Sequence, residues 1–223
     1  MIQFPNIFGQ DRAIAQLAQA HASGRLAHAY LFTGPCGIGK RTTAEALAVA
    51  LLGPKAATNN HPDFFHIAPD LLNEKGKTTS NLAIRIYRIR HLIHRLSLKP
   101  LEAERVVVLI DDAETMEIEA ANALLKTLEE PPPYTLFLLI SSAAGKLPAT
   151  IVSRCQRIAF APRPANDLDP EFAALWRQRF DAFLSRYPKI TYADIGGLVE
   201  EVLKEADRLP GLLELLRVWC RER

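Results

Sequence analysis

At 223 residues the chain is long enough for one full α/β domain and a smaller appendage. Its 48% hydrophobic and 23% charged residues include no apolar run near the roughly 20 residues needed to cross a bilayer, which argues against a helical membrane protein. The net charge of +2 is too small to argue for nucleic acid, and the N-terminus has neither the basic nor the apolar segment of an export signal, so a cytoplasmic protein is expected.

Helical spacing of Ile14, Leu17 and Ala18 predicts a helix over Gln10 to Ala22, with Gly24 as its stop. Ala29 to Thr33 reads as a short buried strand, and the Ala- and Leu-rich run from Thr42 to Leu52 as a helix. Between them Gly34-Pro-Cys-Gly37-Ile-Gly39-Lys40 fits the pattern GxxxxGK in the strand-to-helix setting that gives the pattern meaning. Gly34, Gly37 and Gly39 let the backbone curl its N–H groups toward a phosphate. The helix N-terminus adds partial positive charge, and Lys40 reaches the terminal phosphates. ATP or ADP is therefore the expected ligand.

The position after Lys40 departs from the pattern. Ser or Thr there would bind the nucleotide's Mg²⁺, but this chain has Arg41. Thr42, about 100° further round the helix, is poorly aimed to replace it, and remains with Asp111 the candidate pair for nucleotide-bound Mg²⁺. Arg41 either touches a phosphate or faces solvent, and because charges at helix ends usually face outward, solvent is the preferred reading.

Pro54 to Ser80 reads as loops around one strand, Phe64 to Ile67. The segment Pro54 to His61 has no cysteine, and the three cysteines of the chain (Cys36, Cys155 and Cys220) lie far apart. Neither a zinc site nor a disulfide framework is expected. Ile86, Ile89, Leu92, Ile93 and Leu96 then predict an amphipathic helix over Ala83 to Leu98. Arg85, Arg88, Arg90, His91, His94 and Arg95 lie on its other face, either as a solvated surface or as a track for DNA phosphates.

Arg105 to Ile110 is an apolar, β-branched run of the kind found in the centre of a parallel sheet. It ends in Asp111, placed to hold Mg²⁺ through water, and Asp112, where hydrolytic P-loop proteins usually have Glu. The side chain one methylene shorter sits roughly 1 Å further back, a displacement that can cost about 10²-fold in rate. Asp112 as a turn cap is the equally weighted structural alternative. A helix over Ile118 to Glu130, stopped by Pro131 to Pro133, precedes a strand over Thr135 to Ile140. Ser141 or Ser142 at its end either senses a γ-phosphate or simply ends the strand. A short last strand follows at Arg157 to Phe160.

The alternation predicts a doubly wound α/β sheet over residues 1–162 and a small helical region over residues 163–223. Arg163 to Pro170 reads as a linker. Phe172 to Arg223 reads as about three helices punctuated by Pro188, Gly196-Gly197 and Pro210-Gly211.

Leu124-Leu-Lys-Thr-Leu-Glu-Glu-Pro-Pro132 and Lys146-Leu-Pro-Ala-Thr-Ile-Val-Ser153-Arg154-Cys155 resemble the bacterial clamp-loader AAA+ family of DNA polymerase III. Phe8-Gly9-Gln10 and His28-Ala-Tyr-Leu-Phe-Thr-Gly-Pro35 agree with it. The resemblance covers about residues 4 to 162 and implies an AAA+ P-loop fold. Arg41 and Asp112 make it closer to the delta-prime type than to the gamma/tau motor type, so the chain's own ATPase is expected to be weak or absent. It further implies that Arg154 acts in trans on the ATP of a neighbouring subunit, with Asp112 at most a weak catalytic acid. Implied partners are gamma/tau and delta subunits, with the sliding clamp and primed DNA met through the assembled complex. Phe172 to Arg223 is shorter than the family's lid and collar together. It is expected to hold part of the lid or the start of the collar. The alternative is a self-sufficient AAA+ ATPase that uses Gly34 to Lys40, Asp111 and Mg²⁺.

Overall fold

The structure is a computed structural model that describes Phe4, Ile7, residues 9–72, Gly76, residues 78–161, 170–186 and 191–204, Leu212 and Leu216. Phe8, the expected linker at 163–169 and most of the segment after Lys204 lie outside the described residues. The chain divides into two compact units, Met1–Phe160 and Ala161–Arg223.

In the first unit, helix α1 (Asp11–Ala22) leads into strand β1 (Ala29–Thr33), and helix α2 (Lys40–Leu52) follows the glycine-rich loop. A 3-10 turn over Pro54–Thr58 precedes β2 (Phe64–Ile67), β3 (Asp70–Leu72) and β4 (Thr78–Ala83). Helix α3 (Ile86–Leu96), β5 (Val106–Ile110), α4 (Ile118–Glu129), β6 (Thr135–Ser141), α5 (Ala149–Val152) and β7 (Gln156–Ala159) complete it.

Five strands form one parallel sheet in the order β2-β5-β6-β1-β7. Side chains alternate across it. Leu31, Val106, Val108, Ile110, Phe137 and Leu139 pack under α3, α4 and α5. Tyr30, Phe32, Val107, Leu109, Leu136 and Leu138 pack under α1 and α2. Both faces are covered, so β1, β5 and β6 are buried at every position, as continuous apolar runs require.

Three expectations need correction. The stretch Asn73 to Ser80, read as loop, carries part of an antiparallel β3–β4 pair. Its polar threonines and serine hid the strand, because an exposed pair has no apolar run to display. The helix expected from Ala83 starts at Ile86, leaving Arg85 at its N-cap. In the second unit, α6 (Pro170–Leu184) is followed by α7 (Tyr192–Lys204), and Gly196-Gly197 lies inside α7 rather than between helices. Packing of Leu198 and Val202 against Trp176, Phe180 and Leu212 offsets the glycines' weak helix propensity.

Candidate functional site

Because the sheet is parallel, the carboxyl ends of β1, β5 and β6 share one edge. Ligands of open α/β sheets bind there. Thr33 pairs in register with Ser141, and Ile110 with Leu139, so the loop after β1, the acids after β5 and the serines after β6 meet.

The loop after β1 has Gly34 at φ +146°, Gly37 at +74° and Gly39 at +93°. Gly39 is also the N-cap of the 13-residue α2, which has no side-chain cap. Its first N–H groups, with the macrodipole behind them, are thus turned to an anion. Gly34 has a second constraint: a Cβ there would lie 2.4 Å from the Phe160 carbonyl oxygen and 2.8 Å from Ile38 Cδ1. Lys40 is 6% exposed, and its Nζ donates to the Gly34 and Pro35 carbonyl oxygens at 2.7 and 2.5 Å. Burial lowers its pKa, against the pull of Cys36, Glu114, Asp112 and Asp111. The cradle fits the phosphates of a nucleotide, which Lys40 would reach by exchanging those two carbonyls.

The metal side of the site is different. Arg41 is exposed, with 52% of its side chain accessible, and on that surface it bridges two acids: its Nε donates to Glu45 Oε1 at 2.8 Å, and its Nη1 lies 3.5 Å from Asp111 Oδ2. Asp111 Oδ1 accepts the N–H of Asp112 at 3.1 Å. Thr42 is exposed, while Thr43 is buried and donates its hydroxyl to the Gly39 carbonyl at 2.7 Å. Mg²⁺ would need a hydroxyl beside Lys40 and an open Asp111. This chain presents a guanidinium in place of the hydroxyl, with its positive charge 3.5 Å from the acid, so the residues do not fit the metal.

Asp112 sits in the left-handed region at φ +44°, and its side chain makes no cap bond to the 3-10 turn Ala113–Thr115. Its backbone carbonyl, not its carboxylate, takes the Thr115 N–H and hydroxyl at 2.8 and 2.7 Å. Partial desolvation, then the neighbouring Asp111 and Glu114, raises its pKa.

Ser142 is turned to Glu114, donating through its hydroxyl and its N–H to Oε1 at 2.6 and 3.0 Å. Burial pushes the Glu114 carboxyl up, but the Ser142 hydroxyl, with further hydrogen bonds, brings it below its usual value. Sequence reading missed Glu114. Its signal was the third position beyond Asp111, on the same turn, and only the β5–β6 pairing brings Ser142 to it. Ser141 is buried, and its oxygen accepts the Ala143 N–H at 3.1 Å.

Arg154 lies elsewhere. Gln156 pairs with Tyr30, so Arg154, in the turn between α5 and β7, is at the amino end of β7, near the start of β1 and away from the carboxyl ends that carry the P-loop. Its Nη2 pairs with Glu129 Oε1 at 2.5 Å, and its Nη1 donates to the Thr150 carbonyl at 3.0 Å.

The basic face read on α3 also divides. Arg85 is buried and donates to the carbonyls of Asp70, Leu72 and Asn81 at 3.0, 3.0 and 2.9 Å. Arg88 pairs with the Asp70 carboxylate, and Arg95 lies 5.7 Å from the Phe65 ring centroid. Arg85 and Arg88 therefore tie β3–β4 to α3, which removes them from a solvated face or a DNA track. Tyr87, Arg88 and His91 line a cavity of about 730 Å³ along the edge strand β2.

A family model described as DNA polymerase III, delta subunit, matches residues 9–164. The chain is 37% identical over 163 residues to DNA polymerase III subunit delta' of Pseudomonas aeruginosa, covering 66% of this chain and 47% of that protein. It is 33% identical over 168 residues to DNA polymerase III subunit tau of Bacillus subtilis, covering 71% of this chain and 29% of the relative. The chain thus spans less than half the length of these curated relatives. Among solved structures, a DNA polymerase III gamma subunit-related protein from Thermotoga maritima has a TM-score of 0.53 at 24% identity, covering 93% of this chain and 70% of that one. The RuvB Holliday junction branch migration motor of Thermotoga maritima has a TM-score of 0.51 at 17% identity, covering 97% and 73%. Both share its fold.

Proposed function

The chain belongs to the DNA polymerase III clamp-loader family of AAA+ proteins, and from that premise we propose that it acts as a delta-prime-like subunit of a clamp loader. In this reading it donates Arg154 to ATP bound by a neighbouring gamma/tau-type subunit. It works beside a delta subunit as the complex places a sliding clamp on primed DNA. The observation that carries the reading is the position of Arg154 at the amino end of β7, at the opposite end of the strands from its own P-loop. An arginine there cannot serve the chain's own nucleotide. A planar, permanently charged guanidinium suits a neighbour's γ-phosphate, where it can contribute roughly 10³–10⁵ in rate.

The test is DNA-stimulated ATP hydrolysis by the reassembled complex. Arg154→Ala should silence the site that Arg154 faces, and Arg154→Lys should do nearly as much, since an ammonium lacks the bidentate fork. Unchanged hydrolysis with Arg154→Ala would rule the assignment out.

The chain's own cradle is read as a binding site for ATP or ADP. The glycine geometry and the uncapped α2 N-terminus support a second reading, an ATPase in its own right. The bridge from Arg41 to Asp111 counts against it. Turnover by the purified chain that Lys40→Ala abolishes would reverse that order.

A further inference from the structure

We infer that Arg41 is a built-in counter-ion of this P-loop, and that the cradle Gly34–Lys40 takes a nucleoside di- or triphosphate as its metal-free anion. The inference rests on the reading that the cradle binds a nucleotide, and it adds which cation attends the phosphates.

Arg41 stands at the position from which a P-loop hydroxyl holds Mg²⁺. Its guanidinium reaches from α2 to the end of β5, the span that the metal bridges when it joins the P-loop to the acid strand. Glu45, one turn along α2, takes the Nε hydrogen at 2.8 Å. Nε and Nη1 are thus directed to protein acids, while Nη2 carries two further donors. Lys40 lies one residue back, with the α2 N-terminus beside it. Two cationic side chains and a helix N-terminus are an adequate host for a polyphosphate without a metal.

A divalent ion between Arg41 and Asp111 would meet the guanidinium charge 3.5 Å from the carboxylate it needs. Mg²⁺ therefore competes with the site rather than completing it. Because Mg²⁺ is held less tightly by ADP than by ATP, excess Mg²⁺ should shift the preference toward ADP.

Isothermal titration of the full chain with ADP and with ATP, each in EDTA and in excess Mg²⁺, tests this. The natural chain should bind at least as tightly in EDTA as in Mg²⁺. Arg41→Ala should weaken binding in EDTA about tenfold or more. Arg41→Thr should bind weakly in EDTA and gain about tenfold when Mg²⁺ is added. Arg41→Lys, which keeps the charge without the fork, should remain insensitive to the metal and serves as the folding control.

Tenfold tighter binding by the natural chain with Mg²⁺ would overturn the inference while leaving the nucleotide site in place. Tighter binding by Arg41→Ala in EDTA would make Arg41 a plug and also overturn it. Absence of heat and of thermal shift with either nucleotide, in a folded chain, would overturn the nucleotide-site reading itself. The role of Arg154 has its own separate assay.

Discussion

Glu129 Oε1 lies 2.5 Å from Arg154 Nη2, so the last residue of α4 holds the arginine that precedes β7. The Thr150 carbonyl takes a second guanidinium hydrogen at 3.0 Å. One side chain in the Leu124–Pro132 run thereby pairs with one in the Lys146–Cys155 run, although 25 residues separate them in sequence.

Both partners are partly exposed, at 33% and 47%, so their pairing should contribute no more than about 1 kcal/mol to folding. Its expected role is aim. Glu129→Gln should leave urea unfolding within ~1 kcal/mol of the natural chain. DNA-stimulated hydrolysis by the complex should fall severalfold, between the natural chain and Arg154→Ala. Hydrolysis equal to the natural chain's would deny Glu129 a positioning role.

Gly34 should be the most demanding glycine of the P-loop for folding as well as for phosphate. Gly34→Ala brings a Cβ within 2.4 Å of the Phe160 carbonyl oxygen and adds a side chain at φ +146°. Crowding and backbone strain together should cost ~2–4 kcal/mol. Gly145→Ala meets nothing within 4 Å and should be near neutral. Equal denaturation midpoints for the two variants would count against this packing role.

Asp63 is 2% exposed, and its carboxylate accepts the N–H groups of Leu101, Glu102 and Ala103 at 2.7, 2.8 and 2.8 Å. Burial alone would raise its pKa, but the three backbone donors outweigh burial and hold it below the usual value. A depressed folded pKa stabilises the fold above the unfolded value of about 3.9, and that contribution is lost as pH falls through the folded value. Asp63→Asn should cost ~2–4 kcal/mol at pH 7, because its amide presents donors to donors. The difference between the two chains should shrink below about pH 4. Urea midpoints that stay equally far apart from pH 7 to pH 3 would contradict this.

Arg85 and Arg90 belong to one helical pattern in the sequence but should behave oppositely. Arg85→Ala removes the donors to three backbone carbonyls and the ion pairs with Asp70 and Glu117 at 3.5 and 3.6 Å. Arg85 is buried but its partners are partly exposed and can turn to water, so a loss of ~1–3 kcal/mol is expected. Arg90 is exposed, and Arg90→Ala should stay within ~0.5 kcal/mol. Comparable melting shifts in the two variants would deny Arg85 its structural role.

Periodicity made the central sheet legible in the sequence. Runs such as Val106–Ile110 and Thr135–Ser141 have to be buried on both faces, and only a parallel sheet covered by helices achieves that. The glycine spacing before Lys40 announced the phosphate cradle, since few residue types reach positive φ without strain. The β3–β4 pair and the course of α7 through Gly196-Gly197 were not legible, because pairing and packing overrode weak local preferences.

The sequence by itself determined the fold, the phosphate loop and the presence of an arginine at 154. Each follows from local pattern or motif spacing. Only the tertiary structure decided what those groups face. It joined Arg41 to Asp111, Ser142 to Glu114 and Arg154 to Glu129, and it set Arg154 at the opposite end of the sheet from Lys40. Strand order and register bring these partners together, and neither is written in the spacing of the residues along the chain.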